Sequence, residues 1–490
     1  MLLIKRGWAL SPLLLVFVLL LSACGASGSE SETGTSAIST DVPPPLQVVA
    51  YDAADQRADQ DEERARQVSP TPGFGPIITA GPATPTPDVP PATEAVLPTS
   101  TWTPVPPSPQ PPAAPTNTPS ISPTPLPTYR ADMMGIQIDP GSQEGYDIML
   151  SLAERLGVEW IKLQFRWDQM EPQQGVFSPT FYSYRLFVQQ AHQKGFKVIA
   201  SVAKAPAWAR NSADEDGPPR DPQLLANFLT ALLSEVRVDL YGNSYFSAIE
   251  VWNEPNLRRE WNGAPINGGE YMRLFDAAYN AIRNGEGGHS IVIITAGLAP
   301  TGINDGVQAV DDRVYLQQMY DAGLNNPAYQ NVVLGAHPYG AWNPPDARCC
   351  LNSGQGFDDN RTWFFLDNLE DYHAIMQQNG DSRLIWVTEF GWGTYEGFVL
   401  PGGDPAPPPP GVPYFAYIDE TQQANYIMRA FEIGQNLPYV GPMILWNLNF
   451  SNTDYVVQMD ERSAYAILRN DQATDPLRPA FQLLEAAPKQ

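Results

Sequence analysis

A closed (β/α)8 barrel, carried behind an export signal and a long proline-rich linker, is the fold predicted by this 490-residue sequence. Three observations point to it. From Tyr129 onward, short apolar runs alternate with longer amphipathic segments, eight times over about 360 residues. Two of the runs, Ile249-Glu250-Val251-Trp252-Asn253-Glu254 and Leu384-Ile385-Trp386-Val387-Thr388-Glu389, end in a glutamate, and the two glutamates are 135 residues apart. No Gly-rich phosphate turn follows the first run, as it usually does in a doubly wound open sheet.

The chain begins with Lys5 and Arg6 ahead of an apolar run from Leu10 to Leu21, broken only by Ser11 and Pro12. That run is shorter than the roughly 20 residues needed to span a bilayer, so residues 1–23 read as a signal peptide. Leu21-Ser22-Ala23-Cys24 is similar to the lipobox of bacterial lipoproteins. The likeness implies lipidation of Cys24 and anchorage at the outer face of a bacterial membrane. An uncleaved anchor helix, or an ordinary signal peptide with a chance cysteine, is the other reading.

Residues 24–128 have no periodic apolar pattern. Gly and Ser lead, a charged patch follows from Asp55 to Arg66, and Pro and Thr dominate from Pro70; 24 of the chain's 50 prolines are crowded into residues 1–128. Repeats such as Thr84-Pro85-Thr86-Pro87 cannot build helix or sheet interiors, because Pro lacks a donor and restricts the residue before it. The stretch reads as a semi-extended stalk, on the order of 180 Å for about 60 residues in polyproline II form. Acidic residues outnumber basic ones by 54 to 29, a net charge of −25, which disfavours nucleic acid or anionic lipid as a partner. A hydrophobic fraction of 43% with 12 Trp is enough for one large core.

Within the domain 129–490, the predicted strands are Met134–Ile138, Trp160–Phe165, Phe196–Val202, Ala248–Trp252, Ile291–Thr295, Val332–Ala336, Leu384–Thr388 and Met443–Trp446. Helices are predicted near 145–156, 181–194, 221–239, 269–284, 311–322, 361–379, 420–436 and 476–486. Gly157 and Gly195 stand where a left-handed helix terminus needs a residue without a Cβ.

Parallel barrel strands bring their C-terminal ends to one face. Strand two ends in Gln164-Phe165-Arg166-Trp167 and strand three leads into Ala205-Pro206-Ala207-Trp208. Strand four supplies Asn253-Glu254, strand six His337-Pro338-Tyr339, strand seven Glu389, and strand eight Trp446-Asn447. Two carboxylates among an amide, an Arg, a His, a Tyr and several indoles suit glycosidic bond cleavage, with flat aromatic faces against the sugar ring. Glu250, before its strand end, and Glu171, ahead of a loop proline, are weaker candidates. Only four His are present and no His-Glu-x-x-His occurs, so a metal site has few ligands to draw on.

These motifs resemble clan A of the glycoside hydrolases. Trp252-Asn253-Glu254-Pro255-Asn256 is similar to the clan's acid/base motif on strand four, and Thr388-Glu389-Phe390-Gly391-Trp392 to its nucleophile strand seven. Trp167-Asp168-Gln169-Met170-Glu171-Pro172 and Ala205-Pro206-Ala207-Trp208-Ala209 resemble the strand-two and strand-three loops of families 5 and 39. The resemblance spans Tyr129 to Gln490 and implies a retaining β-glycosidase without a cofactor, acting as a monomer on an oligo- or polysaccharide. It assigns Glu389 as nucleophile and Glu254 as acid/base, with a raised Glu254 pKa. Arg166 and Tyr339 would keep Glu389 ionised, Asn253 would meet the sugar 2-hydroxyl, His337 would tie the site together and Trp446 would floor it.

Bland readings stand beside these. Arg166 pairs equally well with Asp168 or Glu171, His337 fits as a satisfied core histidine, and Trp208, Trp342 and Trp392 serve either sugar binding or packing. A sugar-binding barrel without turnover and a transglycosylase are the functional alternatives. Adjacent Cys349 and Cys350 read as a vicinal disulfide, two free thiols or an intermolecular bridge.

Overall fold

The computed structural model describes residues 127–141, 145–212, 216–350 and 360–490. The signal peptide 1–23, Cys24 and all but the last two residues of the 24–128 stalk lie outside them. Eight parallel strands close in chain order: β1 Met134–Gln137, β2 Trp160–Arg166, β3 Lys197–Ala203, β4 Ala248–Val251, β5 Val292–Thr295, β6 Val332–Ala336, β7 Ile385–Phe390 and β8 Val440–Leu445. A helix follows each: α1 Tyr146–Leu156, α2 Pro179–Gln193, α3 Pro222–Val236, α4 Gly268–Asn284, α5 Asp312–Asp321, α6 Phe365–Gln378, α7 Glu420–Asn436 and α8 Pro479–Ala486. This is the predicted (β/α)8 barrel.

Local chemistry sets the helix ends. Ser178 caps α2 by accepting from Phe181 N, and Asp221 caps α3 by accepting from Gln223 N; in both, proline takes the first turn, where its missing N–H is harmless. Asp419 and Gln422 form a reciprocal capping box on α7. Gly157 ends α1 in the left-handed region at φ 66°, as its sequence position predicts.

Two boundaries differ notably from the sequence reading. β8 starts at Val440, earlier than Met443, because a register shift between Ile385↔Val440 and Val387↔Met443 absorbs the breaker pair Gly441-Pro442. A second shift, between Val387 and Phe390, brackets Glu389. Such irregularities re-aim side chains at a barrel rim. The single helix predicted over 361–379 is a 3-10 turn at Arg361–Trp363 and then α6, separated by the extended Phe364.

The main core fills the space between sheet and helices. Inside the barrel, Trp160, Ile199, Ala248, Ile294, Trp386 and Ile444 form a separate apolar layer. Two residues further along four of these strands, on the same face, come Lys162, Ser201, Glu250 and Thr388, all buried. The apolar floor therefore gives way to a charged layer below the strand ends. Among the described residues, no helix is long and apolar enough to cross a membrane.

Candidate active site

Glu389, near the end of β7, is surrounded by donors. Lys162 Nζ reaches its Oε1 at 2.9 Å, and Tyr339 donates to Oε2 at 3.1 Å. Gln137, with its amide oriented to satisfy both neighbours, donates to Glu389 Oε1 at 3.2 Å and accepts from Trp446 Nε1 at 3.2 Å. Trp446 lies at the end of β8 and is joined to Asn447 by a cis peptide. Glu254 lies just past β4, across from Glu389. Its Oε1 is 3.1 Å from His337 Nδ1, and its Oε2 accepts from Arg259 Nη2 at 2.9 Å. The same His337 nitrogen is 3.8 Å from Glu389 Oε2. One ligand atom from each of Glu254, His337 and Glu389 falls within 4.8 Å of the others.

His337 is held as firmly as the carboxylates. Its Nε2 faces Glu250 Oε1 at 3.6 Å, and Glu250 is paired with Lys162 at 2.9 Å. Gly297 makes room for the ring, since a Cβ there would collide with it. The Gly297 backbone also donates to Glu250 and accepts from Glu254 N, joining β4 and the β5 loop at the site.

Ionisation follows from these pairings. Burial opposes charge on Lys162, but Glu250 and then Glu389 outweigh it, and the ammonium is held protonated. Burial likewise opposes charge on His337, yet Glu389, followed by the hydrogen bonds to Glu250 and Glu254, pushes its pKa up to about 9. For Glu254 too, burial favours the neutral form, but His337 and Arg259 prevail and hold the carboxyl at about 2. This corrects the expectation of a raised Glu254 pKa: the sequence reading weighed burial and Glu389 without the two cations. Lys162, His337 and Arg259 thus face Glu250, Glu254 and Glu389, three cations against three carboxylates. A metal ion at Glu254, His337 and Glu389 would have to displace charge that is already balanced.

Four of the sequence candidates beyond the two glutamates gather here: Asn253, His337, Tyr339 and Trp446. Three do not. Arg166 pairs with Asp168 at 2.9 Å and approaches Asp216 at 3.7 Å. It stands four residues up the strand from Lys162, and among the described residues the ion pairs of Glu389 are with Lys162 and His337 instead. Trp392 is fully buried with Nε1 donating to Asn343 O, so it packs and presents no face to a sugar. Trp208, on the loop after β3, donates to Glu171 O and stands edge-on to Trp167, and it makes no hydrogen bond to Glu254 or Glu389 among the described residues. Cys349 and Cys350 are bonded to one another across a cis peptide, and Cys349 N is tied to Asp367 on α6.

Sequence reasoning missed Lys162, Gln137, Arg259 and Gly297, and ranked Glu250 too low. A signal existed for two of them: Lys162 and Glu250 are charges in mid-strand within otherwise apolar runs, and a buried charge needs a partner. For Gln137, Arg259 and Gly297 the sequence carries no such mark.

A family model of cellulases, glycosyl hydrolase family 5, matches residues 127–405. The structure is similar to a family 39 glycoside hydrolase from the gut symbiont Bacteroides cellulosilyticus WH2, at TM-score 0.51 and 18% identity over 73% of this chain. The alignment covers 63% of that protein, so the chain spans less than two thirds of its length. A beta-glycosidase, BGL167, is similar at TM-score 0.47 and 15% identity, over 71% of this chain and 88% of its own. A broad-specificity endoglucanase from Clostridium acetobutylicum follows at 0.45 and 11%, over 72% and 97%. Comparison with curated proteins gave no match. With more than half of its residues matched by the family model, the chain belongs to glycosyl hydrolase family 5, the cellulase family.

Proposed function

We propose that the chain hydrolyses a β-linked oligo- or polysaccharide by double displacement, with Glu389 as nucleophile and Glu254 as acid/base. The observation that carries this is the pair itself. Two glutamates from opposite strands share one His337 nitrogen at 3.1 and 3.8 Å, with oxygens within 4.8 Å of each other. Retaining glycosidases need carboxyl groups about 5–5.5 Å apart, whereas inverting ones leave room for a water.

In the first step a Glu389 oxygen bonds to the anomeric carbon. The glycosidic C–O bond breaks with its electron pair on the leaving oxygen, which takes the proton of Glu254. In the second step water gives a proton to Glu254, its oxygen bonds to the anomeric carbon, and the bond to Glu389 breaks. Donors from Lys162, Gln137 and Tyr339 orient the Glu389 oxygens for attack. Asn253, whose buried Oδ1 has no hydrogen-bond partner among the described residues, suits the sugar 2-hydroxyl. Trp446, partly exposed beside Tyr339, suits the ring face.

The test is intact-protein mass after exposure of the chain to a panel of 2-deoxy-2-fluoro glycosides, which trap the glycosyl-enzyme. An adduct mapped to Glu389 is expected, and its sugar names the substrate type. An adduct elsewhere overturns the assignment of Glu389. No adduct, with polysaccharide bound and no new reducing ends, points to a barrel without turnover.

The same proposal places the enzyme outside the cell, anchored through Cys24 with the stalk setting its distance from the membrane. Support comes from Lys5-Arg6, the apolar run and Leu21-Ser22-Ala23-Cys24. Cys24→Ala should release the protein from the membrane fraction; unchanged membrane retention would refute the lipid anchor.

A further inference from the structure

Both oxygens of Glu254 are occupied. His337 holds Oε1 and Arg259 holds Oε2. To act as an acid, Glu254 must carry a proton on an oxygen within about 3 Å of the glycosidic oxygen, and each cation bonded to it opposes that proton, so releasing one favours the acid form. His337 is buried, backed by Glu250 and fitted against Gly297. Arg259 is the movable one. It rides on the short 3-10 turn Arg258–Glu260, and its side chain is 50% exposed where that of Glu254 is 8% exposed.

A second carboxylate stands ready for it. Glu461, on the 3-10 turn Glu461–Tyr465 after β8, has its Oε1 3.8 Å from Arg259 Nη1. Glu461 is 45% exposed and makes no other ion pair among the described residues. The distance is too long for a hydrogen bond and short enough that a small side-chain rotation closes it.

We propose that Arg259 is a latch on the acid/base: it sits on Glu254 in the free enzyme, and the leaving-group sugar displaces it onto Glu461. Glu254 then takes a proton from a buffer acid in the solvent, whose conjugate base keeps the balancing charge, and delivers it to the glycosidic oxygen, whose bonding electron pair leaves with the aglycone. This rests on the reading of Glu254 as acid/base. The charge balance favours the exchange. Protonating Glu254 with Arg259 still in place would leave one of the three cations uncompensated, and Glu461 removes that excess. Arg259 acts through Glu254 and is a positioning residue.

Other groups facing Glu254 constrain the pH behaviour. They are His337 and Tyr339 after β6, Glu389 on β7, Tyr465 after β8 and Glu260 beside Arg259. Glu260 and Tyr465 stay in place in every variant below, so a change in Glu254 titration reports on Arg259.

The experiment uses the full chain labelled with carboxyl-13C glutamate, with the Glu254 signal identified by its loss in Glu254→Gln. In wild type Glu254 titrates below the ordinary carboxylate range. Arg259→Gln is expected to raise its midpoint by about one pH unit or more, a tenfold change, and Glu461→Gln to leave it low or lower it. A second readout compares aryl glycosides of the trapped sugar. A phenyl aglycone needs the proton and a 2,4-dinitrophenyl one does not, so the latch changes their kcat/KM ratio. Glu461→Gln should depress the phenyl substrate about tenfold more than the dinitrophenyl one. Arg259→Gln should move the alkaline limb of the phenyl profile to higher pH, and Arg259→Lys should restore part of the wild-type profile.

If neither variant moves the Glu254 titration or the ratio, the latch is wrong. If Glu254→Gln itself keeps full activity on the phenyl glycoside, the acid/base reading has failed instead.

Discussion

Lys162 does two jobs that the sequence motif around Glu389 leaves open: it neutralises Glu250 beneath the site and donates to Glu389 within it. Replacing it by methionine keeps the volume but removes the ammonium from both Glu250 and Glu389, leaving His337, at 3.6 and 3.8 Å, as the cation they share. Loss of about 3–5 kcal/mol in urea unfolding is expected, the usual cost of removing one partner of a buried pair. Activity should fall with it, and a variant of unchanged stability would mean that Lys162 is solvated. The tryptophans divide in the same residue-by-residue way. Trp392→Ala should cost about 3–5 kcal/mol of stability with little change in KM. Trp446→Ala should raise KM with a smaller stability loss, and the reverse pattern would contradict their assigned places. Glu254, Glu389, His337, Tyr339, Trp446 and Asn253 were legible because each ends a strand, and strand ends share a face. Lys162 and Glu250 carried only the weaker mark of a charge in mid-strand, because a side chain there reaches the site only once the barrel curves its neighbours inward.

Arg478 ties whole elements together. It lies immediately before α8, fully buried, and donates to Thr394 O and Glu396 O beyond β7 and to Ala464 O and Ala466 O beyond β8. It also pairs with Glu420 at the start of α7 at 3.1 Å. One side chain thus pins the loops that leave both Glu389 and Trp446. Arg478→Met is expected to lower stability by about 3 kcal/mol or more and to open the 391–419 loop to limited proteolysis. Digestion at the wild-type rate would count against this pinning. At this scale the sequence was informative about element identity and order, through periodicity and caps such as Asp419 with Gln422. It was blind to the two shifts in β7–β8 pairing, which carry Gly441-Pro442 and aim Glu389, because a bulge depends on two strands at once.

The whole molecule is expected to show its charged site in its stability profile. Glu254 is held near 2 against an ordinary 4.5, so its pairing is fully stabilising above pH 4.5 and is lost as pH falls toward 2. His337 is raised to about 9 from 6.5, so its share is complete below pH 6.5 and lost as pH rises through 9. The difference in thermal midpoint between wild type and Glu254→Gln should therefore rise between about pH 2 and 4.5, stay level to about 6.5, and decline toward 9. A difference independent of pH would mean that the two groups are unpaired.

By itself the sequence determined the barrel, the order of its sixteen elements, the face that bears the chemistry and the two glutamates on it, together with an expected export signal and stalk. These are properties of local periodicity, turn chemistry and strand direction, and each can be read within a window of residues. Only the tertiary structure decided the ionisation of the site: which cation holds which carboxylate, that Lys162 rather than Arg166 supports Glu389, and that Arg259 sits on Glu254. The reason is Coulombic. A pKa depends on distances of 3 to 4 Å between residues more than two hundred positions apart, such as Lys162 and Glu389, and those distances exist only once the barrel has closed.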